Sequence, residues 1–277
     1  MKKVDATNEP ATATAAREQR AVQSVEVGGR LLLALAERPG PTTLKDLAAR
    51  AGMPAARAHP YLVSFGKVDL IEQDSASARY ALGPAALQLG LAALNQSDPL
   101  KAAAPVAEAL AQETGQTVAL AVWANFGPTI VRMIEGAEPL HVSMRAGTVM
   151  SVLGTATGRA FAAALPAAQV ERALRAGPLG DAPAALDRAA SARFAEELKA
   201  AAEEVRAHGG LARAVGRPIP GVNAFSAAAF DHEGRAAIVV TALGHEERLS
   251  AEWDSAVARA VREAAGEVSQ RLGWRAR

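Results

Sequence analysis

The sequence predicts a two-domain α+β protein, with a winged helix-turn-helix first and a sensor-like domain of antiparallel strands and helices after it. Short helical segments bounded by Gly and Pro fill the N-terminal part, and strand pairs with turn residues between them recur further along the chain. The length of 277 residues suits two domains, and a composition of 50% hydrophobic and 21% charged residues can form a packed core.

Composition and charge exclude several classes of protein. The chain has no cysteine, which excludes disulfide frameworks, thiolate nucleophiles and iron–sulfur sites. Its 30 basic and 29 acidic residues leave a net charge of +1, so charge alone does not predict a nucleic-acid partner. Neither a signal peptide nor an apolar run of about 18 residues is present. We therefore expect a cytoplasmic protein without a membrane partner.

Four segments organise the chain. Residues 1–16 are polar and aperiodic, which predicts a mobile tail. A winged helix-turn-helix domain is predicted over 17–82, a linker helix over 83–97 and an effector-binding domain over 98–277. The linker begins at Gly83-Pro84, and the polar residues 95–99 mark the boundary.

Helix start and stop signals define the elements of the first domain. Residues 38–41 end the first helix, Thr42 or Thr43 can cap the second, and Gly52 ends it in a left-handed turn. Pro54 suits the first turn of a third helix. The predicted elements are helices Ala21–Glu37, Leu44–Ala51 and Pro54–Phe65, strands Leu70–Gln73 and Arg79–Leu82, and a linker helix from Gly83 to Leu94.

The segment from Leu44 to Val63 has the spacing of a helix-turn-helix. Two short helices cross steeply only where a small residue lies between them, as Ala48 does, and Gly52 supplies the turn. The residues predicted to close over the first helix are Leu47, Ala51, Met53, Ala58 and Leu62. The hairpin after them would form a wing, with Arg79 placed to meet a phosphate or the minor groove. An αα-hairpin in another all-α core is the alternative.

The second domain is predicted to alternate strands and helices. The predicted helices are Leu100–Thr114, Ala156–Leu165, Ala167–Ala176, Ala184–His208 and Ala251–Leu272; the predicted strands are Thr117–Trp123, Thr129–Ile134, Leu140–Met144, Val222–Phe230 and Ala236–Leu243.

An ordered series of motifs resembles the IclR (isocitrate lyase regulator) family of bacterial transcription factors. The motifs are SVEVGGRLLLALAERPGPTTLKDLAARAGMPAARAH, RYALGPAALQLG, TGQTVALAVW, GTATGRAF and GVNAFSAAAFDHEGRAAIVVTALG. The resemblance runs from about Val22 to Leu272. It implies a winged helix-turn-helix, a linker helix and a GAF-like α/β domain that binds a small metabolite. It also implies a homodimer, or a dimer of dimers, on palindromic double-stranded DNA operators.

The resemblance also implies a DNA-binding surface. Its predicted residues are Thr43, Ala55, Ala56, Arg57, His59, Pro60 and Arg79. Arg57 can bridge O6 and N7 of guanine, or it can contact a phosphate or remain solvated. His59 can touch a phosphate or a neighbouring helix, or be merely structural.

Two departures from the family pattern lie in this domain. Pro60 stands where relatives usually carry Arg, and proline removes a backbone donor and crowds the carbonyl of Ala56, at a cost of about 3 kcal/mol or a kink. We expect the third helix to bend or end early, and DNA binding to be weaker than in relatives. Asp69 replaces a usual Gly before the wing. A metabolite-binding or interaction protein with weakened DNA binding is the alternative function.

Residues 154–158 lead from a loop into a helix, an arrangement that can hold an anion on free N–H groups. Alternatively, Thr155 simply caps the helix and Gly158 permits close packing. With the resemblance, the predicted effector-binding residues are Thr155, Ala156, Thr157, Asn223, Ala224, Ser226 and Thr241, and the predicted pocket walls are Trp123, Met144, Phe225 and Phe230. A small carboxylate, aromatic or aliphatic, is the expected effector.

Catalytic signatures are missing. The phosphate-loop, dinucleotide, G-x-S-x-G and H-E-x-x-H patterns do not occur, and the five His residues lack metal-ligand spacing. We expect no catalytic residue, metal or cofactor; an enzyme built on the sensor domain is the remaining alternative. The sequence therefore predicts a ligand-responsive DNA-binding regulator rather than an enzyme.

Overall fold

The computed structural model of the protein describes residues 21–37, 40–137, 140, 142, 144–176 and 188–275. The chain divides into two compact units between Gln96 and Ser97. The predicted tail, 1–16, lies outside the described residues, as do residues 184–187 at the predicted start of one helix. No helix within the described ranges combines the length and the apolar character that a membrane span requires.

The N-terminal unit contains four helices and a two-stranded hairpin within its described residues. These are α1 (Gln23–Ala36), α2 (Leu44–Arg50), α3 (Ala55–Lys67), β1 (Ile71–Gln73), β2 (Tyr80–Leu82) and α4 (Pro84–Asn95). The Thr43 hydroxyl accepts the N–H of Asp46 and caps α2, and Gly52 has a φ of +67° in the turn to α3. The helix-turn-helix is thus formed by the predicted cap and turn residues.

The core of this unit is small. Leu31, Leu47 and Ala58 are fully buried where α1, α2 and α3 meet, and Ala48 lies beside them with 1% exposure. Thr42 pairs with Tyr80 through two backbone hydrogen bonds of 2.9 and 2.8 Å, which attaches the hairpin to the start of α2. Three helices and a hairpin therefore enclose one core, and the outer face of α3 points away from that core.

The C-terminal unit is built on a five-stranded antiparallel sheet of order β4-β3-β7-β6-β5. Its elements are α5 (Pro99–Thr114), β3 (Thr117–Ala124), β4 (Gly127–Ile134), α6 (Ala156–Ala164), α7 (Ala167–Ala176), α8 (Arg188–Ala207), β5 (Leu211–Val215), β6 (Val222–Phe230), β7 (Ala236–His245) and α9 (Ala256–Arg271).

Both faces of this sheet are covered by helices. Phe225 and Val240 pack with α5 and α9 on one face, whereas Val239 packs with Phe161 of α6 and Val205 of α8 on the other. Alternation along each strand therefore decides which side chains face α6.

Two sequence predictions need correction, and one strand was missed. The strand predicted over Leu140–Met144 is wrong, because none of its described residues, 140, 142 and 144, is in a strand; residues 141 and 143 lie outside the described ranges. The edge strand β5 was not predicted. Helix α9 begins at Ala256 rather than Ala251, because Ser255 accepts the N–H of Ala258 and caps it there.

Candidate nucleic-acid interface and ligand cavity

Helix α3 exposes most of its predicted DNA-binding residues. Ala56, Arg57, His59 and Pro60 are exposed, whereas Ala55 is half-buried. Within α3 the charged side chains are all basic, and the helix carries no Asp or Glu. An exposed helix with this charge fits the polyanionic backbone of DNA.

Pro60 does not end α3. The helix continues through it to Lys67, so the expected early termination is wrong. The burial of Ala58 and Leu62 on the opposite face holds this part of the helix against the core. The backbone donor that proline lacks is lost on the exposed side, where water can bind the carbonyl of Ala56.

The remaining two predicted DNA-binding residues are partly engaged within the protein. Thr43 uses its hydroxyl to cap α2 and to donate to the Asp46 carboxylate at 2.9 Å. Arg79 is exposed just before β2 and donates to the carbonyl oxygen of Pro41 at 3.4 Å. Its guanidinium still has other N–H groups for an outside partner.

The hairpin loop is ordered around one acidic residue. The Ser77 hydroxyl and the N–H groups of Ala76 and Ser77 donate to the Asp74 carboxylate, and these bonds lower the pKa of Asp74. Ala78 in the same loop has a φ of +54°, and Asp69 before β1 has a φ of +56°. Asp69 thus holds the left-handed backbone conformation, which Asp adopts more readily than most residues other than Gly.

The C-terminal unit holds a cavity of about 320 Å³ between the sheet and the N-terminus of α6. Its walls are mostly aliphatic, and the polar lining consists of Ser151, Thr155, Thr157, Thr241 and Arg217. Arg217 is the charged residue of this lining. The cavity has the size and polarity of a site for one small molecule whose charge is negative.

The N-terminus of α6 opens at this cavity. The Thr155 hydroxyl accepts the N–H of Gly158 at 3.0 Å and donates to the carbonyl of Ser151 at 2.7 Å. A side chain at position 158 would collide with the backbone oxygens of Ser151 and Val152, so the close packing requires glycine. The cap uses the third N–H of the helix, so the N–H groups of Ala156 and Thr157 remain for a ligand.

Three hydroxyls form a chain at the cavity wall. Thr157 lies 2.9 Å from Thr241, and Thr241 lies 2.7 Å from Ser226, oxygen to oxygen. Two hydrogen bonds use two of the three protons, and Ser226 is completely buried with no other hydrogen-bond partner in the described structure. Since an unsatisfied buried donor is costly, the spare proton belongs to Thr157 or Thr241, where it can donate to a ligand oxygen.

Five of the seven predicted effector-binding residues line the cavity: Thr155, Ala156, Thr157, Ala224 and Thr241. The other two are placed elsewhere. Asn223 points to the opposite face of the sheet and donates to the carbonyl of Leu249 at 2.8 Å. Ser226 is on the cavity side, but its hydroxyl is turned to Thr241 and does not reach the cavity surface.

Of the four predicted pocket walls, only Met144 lines the cavity. Trp123 packs edge-to-face on Phe161 with ring centres 5.5 Å apart, and Phe225 is buried on the far face beside Trp253. Phe230 lies against Trp274 near the end of the sheet. Strand alternation turns Phe225 to the far face of the sheet. Trp123 lies on the α6 face but further along β3 than Ala119, which lines the cavity, and Phe230 lies at the far end of β6, so neither reaches the cavity.

Sequence reasoning did not identify Arg217. It lies in the loop 216–221 between β5 and β6, and the same loop contributes Pro218 and Ile219 to the cavity. The run GRPIPG reads only as a turn, so the presence of an Arg between a predicted helix and a predicted strand was its one signal. Within the described residues, no group of His, Asp or Glu side chains is arranged to hold a metal ion.

Two family models match the chain. The model described as "Bacterial transcriptional regulator IclR C-terminal" matches residues 91–270, which is well over half of the sequence. The model described as "IclR helix-turn-helix domain" matches residues 24–75. Both concern transcriptional regulators rather than enzymes.

Individual proteins agree with these matches. "Transcriptional repressor IclR" of Escherichia coli K12 is 29% identical over 60% of this chain and 61% of its own length, so the chain spans about three fifths of that relative. "HTH-type transcriptional regulator KipR" of Bacillus subtilis is 24% identical over 84% of this chain and 90% of KipR. The crystal structure of Pseudomonas aeruginosa HmgR is 36% identical, has a TM-score of 0.79, and is matched over 91% of this chain and 99% of that one.

Proposed function

Because this chain belongs to the IclR family of bacterial transcriptional regulators, we propose that it binds double-stranded DNA through α3 and a small carboxylate in the cavity of its C-terminal unit. The cavity carries the second part of the proposal: an apolar chamber with one cation, a free helix N-terminus and one available hydroxyl proton suits a single carboxylate on an apolar body.

For DNA, the support is the exposed face of α3 and its charge. In helix-turn-helix proteins the second helix enters the major groove and its N-terminal residues contact base edges. Arg57 is exposed in the first turn of α3, where it can bridge O6 and N7 of guanine, and Lys67 at the other end suits a phosphate. Thr43 and Arg79 are further candidates for backbone contacts.

For the effector, we propose a carboxylate held by the N–H groups of Ala156 and Thr157 and by the hydroxyl of Thr157 or Thr241. Charge-assisted hydrogen bonds of this kind are about twice as strong as neutral ones. Arg217, exposed at the cavity, supplies the positive charge that favours an acid over its neutral analogue. Ala224 contributes only apolar surface to the cavity. Asn223 and Ser226 do not contact the ligand in this proposal, because they hydrogen-bond to Leu249 and Thr241 within the unit.

For assembly, we propose a homodimer or a dimer of dimers. None of the residues of α4 is buried, although the helix carries four leucines that are 41% to 64% exposed. A row of exposed leucines on one helix is typical of a surface that another protein covers. A second copy of α4 is the simplest partner, and light scattering should give at least twice the mass of the chain. Leu91→Glu should reduce that mass, because Leu87, Leu91 and Leu94 lie on one side of α4 at 100° per residue, whereas Leu89 lies on the other side.

Thermal-shift measurements test the effector part. The panel consists of acetate, butyrate, hexanoate, benzoate and succinate, with butyramide and benzamide as neutral controls. A selective acid should raise the Tm with its concentration, as binding to the folded state requires. If no acid raises the Tm more than its amide does, the carboxylate proposal is contradicted.

Fluorescence anisotropy with labelled DNA from the chain's own upstream region tests the DNA part. We expect binding that a scrambled duplex of equal length competes for poorly. Equal competition by the two duplexes would contradict a role as a sequence-specific regulator.

A further inference from the structure

The centre of the exposed face of α3 is apolar. At 100° per residue, Ala56, Pro60, Val63 and Lys67 lie within a sector of about 60°, and the first three carry no polar side-chain atom. All of them are exposed, and Val63 exposes 48% of its surface. We call Ala56, Pro60 and Val63 the apolar stripe.

Basic and polar groups surround the apolar stripe. Arg57 and Ser64 lie on one side of it, His59 lies on the other, and Lys67 lies at its C-terminal end. Acidic residues are absent from α3. A protein that covered the apolar stripe would not require basic residues around it. A polyanion that carries apolar groups on its surface matches both the stripe and the basic residues.

The major groove of DNA offers one apolar group on its base edges, the C5-methyl group of thymine. The stripe runs seven residue steps from Ala56 to Val63, or about 10 Å along the helix, which is the height of about three base pairs. We propose that the apolar stripe reads thymine methyl groups, so that the operator half-site has thymines at the positions beneath Ala56, Pro60 and Val63. This inference rests on the proposed DNA binding of α3.

The proposal gives Pro60 a role. The resemblance noted in the sequence implies Arg at this position, and a long cation there would contact phosphate or guanine. The pyrrolidine ring instead offers a rigid apolar surface one turn from Ala56 and next to Val63 on the same face. Loss of a charge contact lowers affinity for every sequence, and the new contact restores affinity only where a methyl group is present.

The experiment begins with selection of duplexes from a randomised library by the full-length protein. The recovered duplex is the probe, and each of its thymines is then replaced by uracil, which removes the methyl group and keeps the hydrogen-bonding edges. Uracil under the stripe should weaken binding about fourfold per methyl group, because burial of one such group is worth about 0.8 kcal/mol and tenfold is about 1.4.

Protein variants locate the contact. Val63→Ala should abolish the effect of uracil at one position and leave it at the others. Val68→Ala is the matched control, because Val68 is 57% exposed but lies just past the end of α3, outside the apolar stripe. Circular dichroism of each variant confirms its helix content.

The outcomes separate the two proposals. If no duplex is enriched, DNA binding itself is contradicted, and the thymine proposal falls with it. If duplexes are enriched but tolerate uracil at every position, only the thymine proposal is overturned. It is also overturned if Val63→Ala changes the mass of the protein in solution but not its preference for thymine, since the apolar stripe is then a protein interface.

Discussion

The two units offer opposite kinds of candidate binding site. The N-terminal unit presents the outer face of α3, whose exposed side chains contribute little to its core, whereas the C-terminal unit encloses a cavity among residues of its own sheet and helices. We therefore expect substitutions on the outer face of α3 to change the affinity for DNA without changing the free energy of unfolding. Most substitutions at the cavity should change both the affinity for the acid and the free energy of unfolding.

The threonine caps of α2 and α6 show the same contrast at one residue. Thr43 and Thr155 both accept the N–H group of the third helical residue. Thr43 is half-buried and bonds the side chain of Asp46, but Thr155 is 4% exposed and bonds the backbone of Ser151. The same N-cap motif begins α2 at the surface of the N-terminal unit and begins α6 at the wall of the cavity in the C-terminal unit.

The largest effect is expected from Gly158→Ala, because this substitution should lower both the stability of the C-terminal unit and its affinity for the acid. The new Cβ meets the carbonyl oxygens of Ser151 and Val152, and overpacking of this kind costs about 1–3 kcal/mol. Urea unfolding should show this loss, and acid binding should fall with it. DNA binding in the absence of acid should not change. If the affinity for DNA fell as much as the affinity for the acid, the contrast between the two units would be wrong.

Arg217→Gln should separate ligand binding from stability within the C-terminal unit. Arg217 is exposed, so unfolding should change little. Affinity for the acid found in the panel should drop about tenfold, because a hydrogen bond to a charged group is worth about 1.5–3 kcal/mol. Calorimetric titration measures this, with Arg248→Gln as a control outside this cavity. Unchanged affinity would contradict the role of Arg217.

For a duplex in which uracil replaces the thymine beneath position 60, so that no methyl contact is lost, Pro60→Arg should increase DNA affinity about severalfold at low salt. The variant restores a backbone donor to α3 and adds one phosphate contact, so the slope of log K against log salt should steepen by about 0.9. Anisotropy titrations at several salt concentrations test this, and acid binding by the cavity is the control. An unchanged or weaker affinity would show that Pro60 does not limit DNA binding.

The smallest effect concerns the hairpin loop and pH. The pKa of Asp74 is lowered by hydrogen bonds from Ser77 and Ala76, so the ionised form favours the folded loop. That contribution is present above the ordinary pKa of 3.8 and is lost as the pH falls through the lowered value. Protection of the Ser77 amide, relative to its intrinsic exchange rate at each pH, should be high at pH 5 and fall in stronger acid. In Asp74→Ala the protection should be low at both.

Local signals explain why most elements were predictable. Pro or Gly residues lie after α1, on both sides of α2 and before α3, and these helices were predicted to within two residues at each end. Strand β5 could not be found in the same way, because LARAV is short, contains one Arg and lies among Ala-rich helices. Its place is fixed by pairing with β6, which is a long-range contact.

The cavity was predictable only in part. Residues next to the N-cap of α6 were identified because a helix N-terminus has a local sequence pattern. Asn223 and Ala224 are neighbours in one strand, and the register of β6 against β7 decides that Ala224 faces the cavity. Arg217 enters it from a loop, and no periodicity indicates where a loop side chain points.

The central claim is that two different ligands bind the two units and that one binding event affects the other. The most direct test is to titrate the labelled upstream duplex with protein, in the presence and in the absence of the selected acid, and to follow binding by anisotropy. We expect the acid to change the dissociation constant by about 5- to 150-fold, the usual range of coupling between sites. The Arg217→Gln variant should need more acid for the same change. An identical dissociation constant with saturating acid, in a protein that binds both ligands, would contradict the account.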